Sequence, residues 1–275
     1  MAQYRIAAVC PTVERADLAR QLAKSYKAVW EQHVADLVKS GAENVVADMP
    51  PLRFLCMGDD DGTAGWCENA GFDVIRHPEV MPFAKAVNLA AQGLDCEWLC
   101  VLNNDLIIQP GFFAALDDMI AGGYEIIGAK LLYPAKSEQE QPTIQHTGKW
   151  FSLDFRPFHV LRFRPHDDPQ SMQPRPYPCV TFACVAIKKL IWDELKGLDE
   201  GYINGYEDDD FNLRAREQGA QIGVHPGMLA FHLESQTSGL DRDNKDLQWL
   251  RFKQIWVDSG RIQFPLGMWQ GWFQP

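Results

Sequence analysis

The tripeptide Asn103-Asn104-Asp105 follows directly on an apolar run, WLCVL, that reads as a buried strand. A carboxylate at the end of such a strand can project into a cleft and hold a hard divalent cation through oxygen, with Asn103 adding a neutral oxygen or a hydrogen bond. A plain turn uses the same residue types, so the tripeptide alone leaves both readings open. The run Glu207-Asp208-Asp209-Asp210 opens a predicted helix. Attraction to the helix N-terminus explains one or two acids there. Four are crowded, and because successive helical residues turn by about 100° they cannot all face one way. Crowded carboxylates raise one another's pKa, which suits a general base. Gly205-Tyr206 just ahead supplies a flexible entry. His232, in the apolar stretch 228–233, would complete with Asp105 a mixed oxygen and nitrogen set acceptable to manganese, although a lone strand histidine also serves structure. His225 and His146 are weaker candidates of the same kind. Asp59-Asp60-Asp61-Gly62-Thr63 offers either a solvated turn or acceptors for a base and ribose.

The elements that must position these residues are legible as alternation. Residues 5–10 and Leu52–Met57 read as strands, with a third over 72–77 and a fourth over 98–102. Between the first two, Leu18, Leu22, Tyr26, Trp30, Val34 and Val38 mark one face of a long helix ending at Gly41, and shorter helices are predicted over 82–92 and 112–120. Strand–helix alternation implies a parallel sheet covered by helices, with ligands beyond the carboxyl ends of its strands, where the acids at 59–61 and 105 fall. The second half reads differently. Strands are expected over 125–133, 143–151 and 179–188 without helices between them, and 156–178 carries six prolines as a long irregular loop. A helix over 207–218, a strand pair over 221–232, a terminal helix over 245–259 and an aromatic tail follow. Phe264, Met268, Trp269, Trp272 and Phe273 of that tail suit a core or a homodimer interface better than a membrane.

Composition narrows the function classes. Among 275 residues, 26 Lys plus Arg against 37 Asp plus Glu leave a net charge of −11, so a bare nucleic-acid partner is disfavoured. A phosphate-bearing small ligand remains compatible, because a metal ion reverses the local sign. No stretch is apolar enough to span a bilayer, the first residues lack a secretion signal, and seven scattered cysteines read as reduced thiols, so the expectation is cytoplasmic.

Taken together the motifs resemble the family 2 glycosyltransferases of the GT-A fold, in particular their rhamnosyltransferase-like bacterial branch. The resemblance runs from about residue 6 to residue 238. It is carried by Cys10-Pro11-Thr12 with Glu14-Arg15, by Asp60-Asp61-Gly62-Thr63, and by Pro82-Phe83-Ala84-Lys85-Ala86-Val87-Asn88. Leu102-Asn103-Asn104-Asp105 with Pro110-Gly111 resembles a variant of the D-x-D motif. Thr181-Phe182-Ala183-Cys184, Gly197-Leu198-Asp199-Glu200, Gly205-Tyr206-Glu207-Asp208-Asp209-Asp210 and His232-Leu233-Glu234-Ser235 then follow in the family's order.

The resemblance implies an α/β, mostly parallel GT-A sheet over 1–238, with a nucleotide-sugar half to about 133, an acceptor half from 134, and 239–275 appended. It implies an inverting, metal-dependent transfer from a UDP-, dTDP- or GDP-linked sugar to a carbohydrate or other hydroxyl. Asp208 would be the general base and Glu207 would orient the acceptor; Asp105 and His232 would hold Mn2+ or Mg2+. Pro11, Thr12, Arg15, Asp60, Asp61, Lys85, Asn88, Asn103 and Asn104 would meet the donor nucleotide. Trp150, Phe182, Ala183, Cys184 and Tyr206 would shape the sugar or acceptor pocket. Phe182 stands where the family usually has glycine, and Val87 where many members have arginine. A sugar nucleotidyltransferase would need a Gly-rich basic loop near the N-terminus, which 7–18 lacks. A non-catalytic carbohydrate-binding protein on the same fold is the other alternative; the intact acid cluster and His232 argue against it, though fold alone never proves function.

Overall fold

The computed structural model describes residues 3–43, 45–58, 61–233 and 245–262. Strands and helices alternate at first: β1 (Tyr4–Val13), α1 (Ala16–Lys39), β2 (Leu52–Met57), α2 (Thr63–Asn69), β3 (Asp73–His77), α3 (Phe83–Ala91) and β4 (Cys96–Leu102). Then come β5 (Leu106–Ile108), α4 (Phe112–Ala121), β6 (Ile126–Tyr133), β7 (Thr143–His146), β8 (Lys149–Phe151), β9 (Pro157–His159) and β10 (Arg175–Pro176). The chain continues through β11 (Cys184–Lys188), α5 (Lys189–Glu194), α6 (Glu207–Glu217), β12 (Ile222–His232) and α7 (Lys245–Phe252).

The main sheet runs β10-β12-β6-β11-β4-β1-β2-β3. Strands β1 to β4 are mutually parallel. Strand β11 is antiparallel to both β4 and β6, so its two inversions cancel and β6 and β12 run with β4. The carboxyl ends of β1, β2, β4, β6 and β12 therefore open on one side, beside the amino end of β11. Helices cover both faces of the sheet, which is why β4 is a near-continuous apolar run rather than an alternating one. Because β11 lies between β4 and β6, the two sequence halves share one sheet.

Helix α1 buries Leu18, Leu22, Tyr26 and Trp30, while Val34 is half-buried and Val38 is exposed. A four-residue repeat drifts by about 40° per step on a 3.6-residue helix, so the stripe turns off the sheet before the helix ends.

The second half departs from its expected elements. The strand foreseen over 143–151 breaks at Gly148, whose φ of +126° only glycine adopts readily and whose missing Cβ would run into the Tyr177 ring. Strand β7 pairs with β6, whereas β8 pairs with β9 in a separate hairpin. The pair foreseen over 221–232 is one strand, β12, with an irregularity between His225 and Leu229, and the strand foreseen over 179–188 is regular only from Cys184. The proline-rich segment is tied down by β9, by β10 and by a 3-10 turn at Pro169–Ser171. Buried Lys130 of β6 donates to the His166 carbonyl at 2.7 Å and to Ser171 Oγ at 2.8 Å, holding that segment to the sheet. Helix α7 continues into a π-helical turn, Lys253–Val257, and packs Trp249, Phe252 and Trp256 against Phe151, Tyr202 and Leu213. The aromatic tail singled out in the sequence lies outside the described residues. Among the described residues no helix is long and apolar enough to cross a membrane.

Candidate active site

Asp105 and His232 meet beyond the carboxyl ends of β4 and β12. Both are buried, and Asp105 Oδ1 stands 3.1 Å from His232 Nε2. Strand β5 pairs antiparallel with β12 so that Leu106 faces His232, which brings the two residues together. Gln145 Oε1, an acceptor, lies 2.6 Å from His232 Nδ1, so that ring nitrogen carries the proton and Nε2 presents its lone pair. The contact with Asp105 is thus between two electron-pair donors, and Asp105 Oδ1 has no hydrogen-bond partner. Asn103 Nδ2 reaches the same ring nitrogen at 3.4 Å. A buried oxygen without a donor, beside a nitrogen lone pair, suits a divalent cation. Among the described residues no cluster of three or more His, Cys, Asp and Glu could hold a metal ion. The pair therefore fits a cation that keeps most of its shell for ligand and water oxygens.

The second centre opens α6. Lys149, buried on β8, donates to Asp208 Oδ2 at 2.6 Å and lies 3.1 and 3.2 Å from the two Asp209 oxygens. Glu207 accepts the Gly205 N–H at 2.5 Å. Asp210 turns away: Arg214 Nε reaches it at 2.7 Å and Trp256 Nε1 at 2.9 Å, tying α6 to the turn after α7. Burial lifts Glu207 and Asp209 above the ordinary carboxylate range, and the Asp208 charge lifts them further. Burial acts on Asp208 in the same direction, but the Lys149 charge and its hydrogen bond outweigh it and hold Asp208 below that range. The Thr181 N–H reaches His146 Nε2 at 3.4 Å, and His146 Nδ1 is 2.9 Å from His159 Nδ1, so a neutral histidine pair lies beside the cluster. Burial pushes His159 down to about 3 and Lys149 adds to this; Gln145 and His146, adjacent on β7, bond to His232 and to His159 and so connect the two centres.

The nucleotide side departs from the expected roles. Thr12 and Asn104 are buried and bonded to each other at 2.8 Å, clamping the end of β4 to β1. The Asp61 carboxylate accepts from the Thr63 N–H at 3.0 Å and the Ala16 N–H at 3.4 Å, bracing the starts of α2 and α1. Asn88 spends its amide on Leu198, donating to the carbonyl and accepting from the N–H, both at 2.9 Å. Thr12, Asn104 and Asn88 thus spend their polar groups on the fold, whereas Asp61 also lines a cavity at the strand ends. Arg15 follows Glu14 in left-handed backbone, φ 62° and 50°, and pairs with Asp17 at 2.9 Å. Pro11 is half-buried in β1 and Lys85 is exposed on the first turn of α3. Asp59 and Asp60 lie outside the described residues. A cavity of about 280 Å³ at the ends of β1, β2 and β3 is lined by Glu14, Met57, Asp61, Arg76 and His77 among others.

Most of the expected sugar pocket proves to be core. Phe182 is buried against Phe211 at 5.4 Å, and Cys184 lies inside β11, where both faces are covered. Ala183 is buried and its carbonyl accepts the Asn103 N–H at 2.8 Å. Tyr206 stacks near Phe252 and Trp249, at 5.3 and 5.9 Å, and belongs to the α7 contact. Trp150 is half-buried on β8. Sequence reasoning passed over Lys149, Gln145 and His159. For Lys149 a faint signal existed: it alternates with Phe151, so a lysine was due on the buried face of its strand.

The sheet order, with β11 reversed between β4 and β6, and the position of Asn103-Asn104-Asp105 define a GT-A fold. Solved glycosyltransferases of that fold superpose over nearly the whole chain. GalNAc-T7, solved with UDP, GalNAc and Mn2+, matches at a TM-score of 0.67 and 14% identity, covering 94% of this chain and 50% of that one. Mannosyltransferase PcManGT of Pyrobaculum calidifontis, solved with GDP-Man and Mn2+, matches at 0.57 and 13% identity, covering 95% of this chain and 66% of that one. In sequence, the O-antigen biosynthesis protein RfbC of Myxococcus xanthus is 27% identical over 175 residues, 60% of this chain and 13% of that protein. The uncharacterized protein y4gI of Sinorhizobium fredii is likewise 27% identical over 176 residues, 60% of this chain and 18% of that protein. The chain thus spans less than a fifth of the curated relatives it matches. No family profile matches the chain.

Proposed function

We propose that the chain is a metal-dependent, inverting glycosyltransferase of the family 2 type, rhamnosyltransferase-like, acting in the cytoplasm on a nucleoside-diphosphate sugar. The observation that carries the reading is the convergence of buried Asp105 and His232, connected through Gln145 and His146 of β7 to the histidine beside the lysine-paired Asp208. The Mn2+ in both solved neighbours and the nucleotide or nucleotide sugar bound to each support it, as does the 280 Å³ cavity beside the β1–α1 turn as a place for the base.

Asp105 Oδ1 and His232 Nε2 would hold the cation, with Gln145 fixing the histidine tautomer. When bound, the cation neutralises the diphosphate and eases its departure as a Lewis acid. Asp208 takes the proton of the acceptor hydroxyl. The acceptor oxygen then forms its bond to the anomeric carbon as the bond to the diphosphate breaks, and the nucleoside diphosphate leaves with that electron pair. Asp208 later returns its proton to water. One carboxylate suffices because no general acid has to protonate the leaving group. Glu207 and Trp150 would border the acceptor; Pro11, Arg15, Lys85 and Asn103 would border the donor.

A thermal-shift panel of UDP-, dTDP- and GDP-sugars with manganese tests the reading. One donor is expected to raise the melting temperature beyond metal alone, with the gain lost in Asp105→Ala. If no donor shifts the protein and none is turned over, the reading fails.

A further inference from the structure

Three consecutive carboxylates, Glu207, Asp208 and Asp209, are each buried at the start of α6. Only one of them can serve as the base, and a helix start gives no reason to prefer any of the three. The asymmetry comes from another element. The Lys149 ammonium, itself buried, lies 2.6 Å from Asp208 Oδ2 and no nearer than 3.1 Å to Asp209. Glu207 instead accepts from its own backbone at Gly205. Lys149 is held in register by β8, whose pairing with β9 places it opposite His159. Resting on the glycosyl-transfer reading above, we propose that Lys149 is a positioning residue that selects Asp208, among the three acids, as the carboxylate that receives the acceptor proton.

The titratable groups around the pair are Glu207 and Asp209 on α6, His159 on β9, His146 on β7, Cys179 ahead of β11 and Tyr206 at the helix start; burial holds His146 neutral, and Asp210 is bonded elsewhere. His159 and Cys179 are neutral near pH 7, since burial drives the first down and the second up. Lys149 is therefore the positive charge in direct contact with Asp208. Burial alone would deprotonate it, but Asp208 and then Asp209 hold it charged. Without it, Asp208 loses the advantage over its neighbours and the three acids share their protons.

The test is the pH profile of kcat in Lys149→Met and Lys149→Arg. Loss of a contacting opposite charge moves a carboxylate by about 1–3 pH units. The acid limb is expected to move upward by at least about one unit in Lys149→Met, with donor KM unchanged, and to return toward its original place in Lys149→Arg. A lysine that only fills space would lower stability and leave the limb where it is. If Lys149→Met does not fold, Lys149→Gln, which removes the charge but keeps a polar side chain facing Asp208, carries the same expectation. A second readout does not need activity. In protein labelled with 13C at the Asp carboxyls, the Asp208 signal is the one lost in Asp208→Asn, and its titration midpoint should rise in Lys149→Met. An unmoved midpoint and limb overturn the proposal. If the wild type transfers no sugar from any donor, the glycosyl reading falls, and the carbon titration still decides whether Lys149 sets the ionisation of Asp208.

Discussion

The Asp105 and Glu207 centres solve opposite electrostatic problems. At the Asp105 end the chain brings together an oxygen and a nitrogen lone pair, oriented by Gln145, and leaves the positive charge to a ligand. At the Glu207 end it crowds three carboxylates and supplies the positive charge itself, as Lys149. On the proposed function the first centre would take its cation from solution and the second carries its own. Glycosyl transfer would ask for this division: a departing diphosphate needs exchangeable charge, whereas a base needs a fixed environment.

Asp208→Asn should break the comparison most severely. Loss of a positioned base costs about 10²–10⁴-fold in kcat, while manganese-dependent donor binding by calorimetry stays near wild type. Retained turnover would remove Asp208 from its role. Gln145→Leu probes the other end. On the proposed role of His232 as a metal ligand, losing the partner that orients its ring should weaken manganese affinity about 10–100-fold and leave the acid limb of the kcat profile in place. Asp210→Asn separates scaffold from chemistry within the acidic run. Its bonds to Arg214 and Trp256 are worth about 1.5–3 kcal/mol to stability, read by denaturant unfolding, with kcat per folded molecule unchanged. The smallest effect is expected for Asp209→Asn. A carboxyl whose folded pKa is raised stabilises most below its unfolded value of about 4 and loses that contribution as pH rises toward the folded value. Burial and Asp208 raise Asp209 in this way. The variant should therefore flatten the decline in melting temperature from mildly acid to neutral pH; an unchanged slope would show that Asp209 is not raised.

The same contrast explains what was legible. The Asp105 centre is partly written locally: Asn103-Asn104-Asp105 ends an apolar strand and His232 ends another, and the pairing of β5 with β12 brings the two together. The acid run was visible too, but not its division of labour. Helical geometry turns Asp210 toward Arg214 one turn ahead and toward Trp256 on a distant element, so identical side chains acquire different duties. Phe182 and Cys184 sat in a motif yet became core, because β11 inserts antiparallel between β4 and β6 and both its faces are covered. Asn88 and Asp61 were legible as polar residues at the right strand and helix ends. That their bonds go to Leu198, Thr63 and Ala16 depends on loops that no periodicity describes.

By itself the sequence determined the alternation of β1 through β4 with their helices, the parallel sheet, and the side of it on which the acids would gather. Those follow from apolar spacing, glycine and proline, which act within a few residues. The tertiary structure alone decided the reversed strand, the break at Gly148 that splits β7 from β8, and the ammonium that reaches Asp208. A lysine carries no mark of its future partner in its neighbours along the chain. Its charge is kept in the interior only by carboxylates that folding brings to it from 59 residues away.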